Sequence, residues 1–171
     1  MVLQNKKCYL SGPIQYDVAG HNWRVDVCRV LKEEFGIDLF DPFADPKQQW
    51  LPQLKEAQTA RDYVKMAEIS RQFVQKDLCM VDRSDFLIAF LPSKVPTTGT
   101  VHEIINASNA KKPTLLVTDQ NDVSCLPLWY FGFIPYKHMF AGWENLYKYL
   151  REINEGKHRD DRRWNYVYGL I

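Results

Sequence analysis

The feature that most constrains this chain is its alternation between short apolar runs of strand length and longer stretches with apolar residues at helical spacing. Lys7-Cys8-Tyr9-Leu10-Ser11 reads as a first strand, stopped by Gly12-Pro13. Trp23, Val27, Val30, Leu31 and Phe35 then recur with a helical period, with Asn22 placed to cap that helix and Gly36 to end it. Residues 37–40 form a second strand, followed by a loop rich in Pro, Gln and Asp. One long helix is expected over 57–81, with Tyr63, Met66, Ile69, Phe73 and Val74 along one face. A third strand over 86–91 leads into a helix that runs to Asn109, and a fourth strand covers 113–118. After an irregular, aromatic stretch come a fifth strand over 137–140, a last helix over 143–153, and a tail that is basic and then aromatic.

Strands that alternate with helices build a mostly parallel sheet covered on both faces. With right-handed crossovers, the expected architecture is an α/β, doubly wound, five-stranded sheet in a single domain over residues 1–171. Such sheets bind ligands beyond the carboxyl ends of their strands. Residues 11–14, 41–43, 92–103 and 118–121 all fall at that edge.

Composition narrows the function classes. A formal charge of +1 gives no bias toward a nucleic-acid polymer or a membrane surface. The first seven residues lack the apolar core of a signal peptide, and no run of about 18 apolar residues is present. Cys8, Cys28, Cys79 and Cys125 are scattered without metal-ligand spacing and read as reduced thiols, so a cytoplasmic protein is expected. No residue pattern requires a metal or another cofactor, and His21, His102, His138 and His158 form no metal constellation.

Three clusters carry candidate chemistry. Ser11-Gly12-Pro13-Ile14 ends a strand with backbone N–H groups and a hydroxyl, which suits a phosphate or a sugar hydroxyl and equally suits a plain turn. Asp77, Asp82 and Asp85 lie late in the long helix and in the turn after it. Asp82 reads as a solvated face and Asp85 as a turn or cap residue, whereas Asp77 belongs to a segment that should pack near the sheet edge. The third cluster is Thr97-Thr98-Gly99-Thr100-Val101-His102-Glu103, where small and hydroxyl residues open a helix. Glu103 can be a first-turn carboxylate favoured by the helix dipole, or a nucleophile. Retaining glycosyl transfer uses two carboxyl groups about 5 Å apart, and Glu103 with Asp77 is a candidate pair.

Taken together, these residues resemble the nucleoside 2-deoxyribosyltransferase family, which includes related 5′-monophosphate N-glycosidases. The resemblance runs through Tyr9-Leu10-Ser11-Gly12-Pro13-Ile14, Asn22-Trp23-Arg24, Asp77, Ser84-Asp85, Gly99-Thr100-Val101-His102-Glu103-Ile104, Ala107 and Lys112-Pro113. It implies a flavodoxin-like sheet and a glutamate, Glu103, that attacks the anomeric carbon of a 2′-deoxyribose and expels the base. It also implies that Asp77 holds the nucleophile or a sugar hydroxyl and that Tyr9 orients Glu103. The closing Asn165-Tyr166-Val167-Tyr168-Gly169-Leu170-Ile171 is similar to an aromatic tail that transferases insert into a neighbouring subunit, which implies a homodimer or larger homo-oligomer with shared active sites. Where such transferases carry a base-contacting aspartate, six positions before the nucleophile, this chain has Thr97. The N-glycosidases have a phosphate-binding serine there. Thr97, with Ser11, Gly12 and Arg24, is therefore a candidate to hold a phosphate, and Pro13, Ile14, Asp85, Thr98 and Gly99 are further candidates for substrate binding.

The leading expectation is an enzyme acting on a 2′-deoxynucleoside or its 5′-monophosphate, with a second base or water as acceptor. A nucleotide-binding module without turnover would keep Ser11, Gly12 and Thr97 but would not need Glu103.

Overall fold

The structure, a computed structural model, describes residues 1–14, 20–95 and 97–170, and side chains from residue 23 onward in the first helix. Five parallel strands form one sheet in the order β2-β1-β3-β4-β5. They are β1 (Lys7–Ser11), β2 (Asp38–Phe40), β3 (Phe86–Phe90), β4 (Thr114–Thr118) and β5 (Met139–Ala141). This is the doubly wound order whose reversal point lies between β1 and β3.

The two central strands β3 and β4 are buried at every position. That is why they read as continuous apolar runs rather than as an alternating pattern. One face of the sheet presents Leu10, Ile88, Phe90 and Val117 to α1 (Gly20–Glu33) and α6 (Trp143–Asn154). The other presents Tyr9, Leu87, Ala89 and Leu116 to α3 (Tyr63–Arg83) and α4 (Thr98–Asn109), where Val81, Ile104 and Ala107 are buried. Among the described residues, no helix is long and apolar enough to cross a membrane.

Three expectations need correction. The single helix over 57–81 is two, α2 (Leu51–Ala60) and α3. Arg61 turns into the left-handed region at φ 55°, and the Asp62 carboxylate caps α3 by accepting from the Lys65 N–H at 3.0 Å. Asn22 lies inside α1, two positions past its start, rather than ahead of it. The fifth strand starts at Met139 because residues 136–138 form a 3₁₀ turn that buries His138 against Asp161, Nε2 to Oδ2 at 2.8 Å.

The tail folds back on its own chain. After a 3₁₀ turn at Arg162–Trp164 and the short α7 (Asn165–Tyr168), Trp164 and Val167 are buried in the core formed with α6. Trp164 lies 5.6 Å from Phe86, ring to ring, and donates its indole N–H to the Tyr149 hydroxyl at 2.8 Å. Phe86 opens β3, so the tail docks at the amino edge of the sheet, and its buried residues are not free to reach a neighbouring subunit. Trp164→Ala should lower unfolding free energy by about 3–5 kcal/mol in urea denaturation, as expected for emptying a large buried aromatic site.

Candidate active site

The site is built from the alternation of β1. Cys8 and Leu10 belong to the core under α1 and α6, whereas Tyr9 belongs to the core under α4. Ser11, two residues after Tyr9, shares its face. Helix α4 in turn buries Thr100, Glu103, Ile104, Ala107 and Ser108, residues at helical spacing along one side. Glu103 is thus a carboxylate on a packed face and only 9% exposed, although its neighbours in that stripe are small or apolar.

Both of its oxygens are held. The Tyr9 hydroxyl donates to Glu103 Oε1 at 2.8 Å, and the Ser11 hydroxyl donates to Oε2. Burial pushes the Glu103 carboxyl above its ordinary value, opposed by the Ser11 and Tyr9 hydrogen bonds and by the charges of Lys47 and Arg24. Burial and the adjacent carboxylate raise the Tyr9 hydroxyl far above its ordinary value, so it remains a proton donor throughout the useful pH range. Ahead of Glu103, the N-terminus of α4 is open. Thr98 and Gly99 are exposed, and a Cβ placed on Gly99 would meet nothing within 4 Å. The Thr97 side chain makes no capping hydrogen bond.

A 3₁₀ turn at Pro46–Trp50, just beyond β2, brings in Lys47, whose side chain is 1% exposed and ion-paired with Asp77 of α3. Sequence reasoning missed Lys47. The only signal for it was its place in a loop leaving the carboxyl end of a strand.

A family model for nucleoside 2-deoxyribosyltransferases matches residues 8–154, which span Tyr9, Ser11, Asp77 and Glu103. The chain belongs to the nucleoside 2-deoxyribosyltransferase family. Among solved structures it is similar to a 2-deoxyribosyltransferase from the psychrotolerant bacterium Bacillus psychrosaccharolyticus, with 18% identity and a TM-score of 0.60. That match covers 82% of this chain and 89% of the other, and at this identity it speaks for the fold. No curated protein sequence matches the chain. The tail after Asn154 lies outside the region matched by the family model.

Against this family background, several expected roles change. Asp85 is at the wrong edge. It precedes β3, and its carboxylate accepts from the Lys7 N–H at 2.6 Å, pinning the amino ends of β1 and β3 together. It also lines a groove of about 420 Å³ with Ser84, Lys112, Arg163 and Tyr166, away from Glu103.

Arg24, expected to help hold a phosphate, is 3% exposed and makes three hydrogen bonds through its terminal nitrogens. They donate to the Leu10 carbonyl at 3.1 Å, the Gly12 carbonyl at 3.2 Å and Asp41 Oδ1 at 2.8 Å. Its charge is balanced by Asp41, and its three hydrogen bonds clamp the end of β1. Gly12 serves the same junction, since a Cβ there would come within 2.7 Å of the Trp23 indole. Pro13 is buried and Ile14 half-buried beside it, at the end of the described segment.

Asp77 makes no hydrogen bond to Glu103 among the described residues. Its partner is Lys47. His102 is exposed on α4. Arg24→Met would remove the guanidinium from two carbonyls and from Asp41, which would keep only the Phe43 N–H at 3.0 Å on Oδ1, and it should destabilise the fold by about 3–5 kcal/mol in denaturant titrations.

Proposed function

We propose that this chain cleaves the N-glycosidic bond of 2′-deoxynucleosides by covalent catalysis and passes the deoxyribosyl group to a second nucleobase. The observation that carries this reading is Glu103, a buried carboxylate on a packed helix face with each oxygen fixed by a separate hydroxyl. A structural role gives no reason to bury a carboxylate at the ligand-binding edge of a doubly wound sheet.

In the first step a Glu103 oxygen bonds to the anomeric carbon, the bond from that carbon to the base nitrogen breaks, and the electron pair leaves with the base. In the second step a nitrogen of another base attacks the same carbon and Glu103 departs as a carboxylate. Two easier displacements replace one hard one, and two inversions give net retention. Tyr9 and Ser11 orient the carboxylate and hold it ionised against the cost of burial.

A 5′-monophosphate substrate with water as acceptor is the second reading, and Thr97 and Thr98 at the open start of α4 are what favour it. The engagement of Arg24 with Asp41 and of Lys47 with Asp77 weighs against it, because neither cation is left for a phosphate.

Chromatography of deoxynucleosides and their monophosphates, with and without a second free base, separates the outcomes. A new nucleoside means transfer, free base alone means hydrolysis, and no product from any substrate means a binding module. Glu103→Ala should reduce base release at least about a thousandfold while leaving substrate affinity within a few fold.

Because the folded Glu103 carboxyl is raised, its ionised form is lost as pH falls, so the acid limb of kcat/KM should lie above the ordinary carboxylate range. The same sign fixes a stability effect. A raised folded value means the group favours folding only while protonated and opposes it once ionised at neutral pH. Glu103→Gln should therefore be inactive yet raise Tm at pH 7 by about 2–4 °C, for roughly 1 kcal/mol gained, as read by calorimetry.

A further inference from the structure

Residues 123–136, the aromatic stretch between β4 and β5, hold no charged side chain. The short helix within it, α5 (Leu128–Phe131), is seated by one buried residue. Tyr130 joins the core with Ile104 and Ile134 and meets the Phe133 ring at 5.9 Å. Successive side chains on a helix point in different directions, so seating Tyr130 turns its neighbours outward. Leu128 is 82% exposed and Trp129 81%, and Phe131 is more than a third exposed.

One exposed apolar residue is ordinary, whereas a contiguous group marks a contact surface. Here the group is contiguous. Leu128, Trp129, Gly132 and Phe133 line a hollow of about 590 Å³ together with Ile105 and Asn109 of α4, and none of these six residues is charged. Ile105 is itself more than a third exposed, on the side of α4 that Glu103 does not occupy.

Area, charge and shape all suit a second copy of this chain. A standard interface takes ~800 Å² from each partner and is about 60% apolar, so each copy must supply on the order of 500 Å² of apolar surface. Leu128, Trp129, Phe131, Ile105 and the half-buried Phe133 expose about that much between them. In a twofold pair each patch meets itself, so a charge near the axis would face its own copy. An uncharged patch avoids that repulsion, and it offers nothing to a charged partner or an anionic membrane. The patch also holds both an exposed indole and a hollow, which a twofold axis brings together twice. The tail offers no such surface, because Trp164 and Val167 are buried in their own chain.

We propose that two copies of this chain pair about a twofold axis through this patch, with α5 of one against the Ile105 side of α4 in the other and Trp129 filling the partner subunit's hollow. The pairing is independent of the role of Glu103, whose hydrogen bonds are made within one chain.

The test is sedimentation velocity on the full chain over a concentration series up to about 100 µM. The wild type should sediment at twice the 20.1 kDa of one chain. Trp129→Glu puts a charge at the uncharged centre and should weaken pairing at least about a hundredfold, leaving monomer. Its circular dichroism should be unchanged, because the indole it replaces is exposed. Ile105→Glu should do the same from the α4 side of the contact. Tyr166→Glu, at an exposed position of the tail, should leave the dimer intact.

A wild type that stays monomeric over the series overturns the proposal. So does an assembly that a folded Trp129→Glu or Ile105→Glu leaves intact, or one that Tyr166→Glu dissociates. If a monomeric wild type instead co-sediments with phosphatidylcholine–phosphatidylserine vesicles and Trp129→Glu does not, the patch is a membrane contact and the proposal fails. Should Trp129→Glu fail to fold, Ile105→Glu decides.

Discussion

Two hydroxyls on one strand hold a carboxylate on the helix that packs above it, and the carboxyl edge of the sheet is organised around that contact. Tyr9 and Ser11 share a face of β1 because side chains alternate along a strand. Glu103 meets them because α4 turns the same side inward that buries Ile104 and Ala107. The contact therefore needs the register of β1 to be fixed. A slip of one residue would carry both hydroxyls to the opposite face, under α1 and α6. Pairing with β2 and β3 on either side sets that register, with Tyr9 opposite Phe40 on one flank and Leu87 on the other. Arg24 then closes the end of the strand by taking the Leu10 and Gly12 carbonyls. Core packing and candidate chemistry thus share one five-residue strand.

The electrostatics follow from the same crowding. Arg24 faces Asp41, Lys47 faces Asp77 and Lys76 faces Asp45, so cations and carboxylates around the site are matched within hydrogen-bonding reach. Glu103 is held by neutral hydroxyls. A buried carboxylate supported in this way keeps its lone pairs oriented without forming a contact ion pair, a suitable state for attack on an electron-poor carbon.

Sequence carried much of this and failed at identifiable places. The strands were legible because full burial on both faces writes a continuous apolar run, whereas the residues around Glu103 left open a first-turn carboxylate favoured by the helix dipole, and its burial against Tyr9 and Ser11 came only with the fold. The break between α2 and α3 was hidden because Arg61 takes a left-handed conformation more often associated with glycine, leaving no breaker to read. Arg24 was misassigned because a guanidinium beside a Ser-Gly turn serves equally well to hold an anion or to close carbonyls, and only the position of Asp41 decides. Asp85 could have been placed by topology alone, since a residue just ahead of a parallel strand lies at the amino edge. Lys47 was beyond reach, because its burial arises from Phe73 and Asp77, which are distant in sequence and meet it only through the fold.

The way the two ends of the chain are tucked in has a practical side. Leu3 is buried and its N–H donates to Asn154 Oδ1 at 2.9 Å, at the end of α6, while Trp164 seals the same region from the other terminus. Both ends therefore emerge at the amino edge, on the far side of the sheet from Glu103. An affinity tag, a solid support or a fused protein attached at either end would hang from the back of the molecule and leave the front open to solutes. Coupling through surface lysines gives no such control, since it would fix the molecule in many orientations.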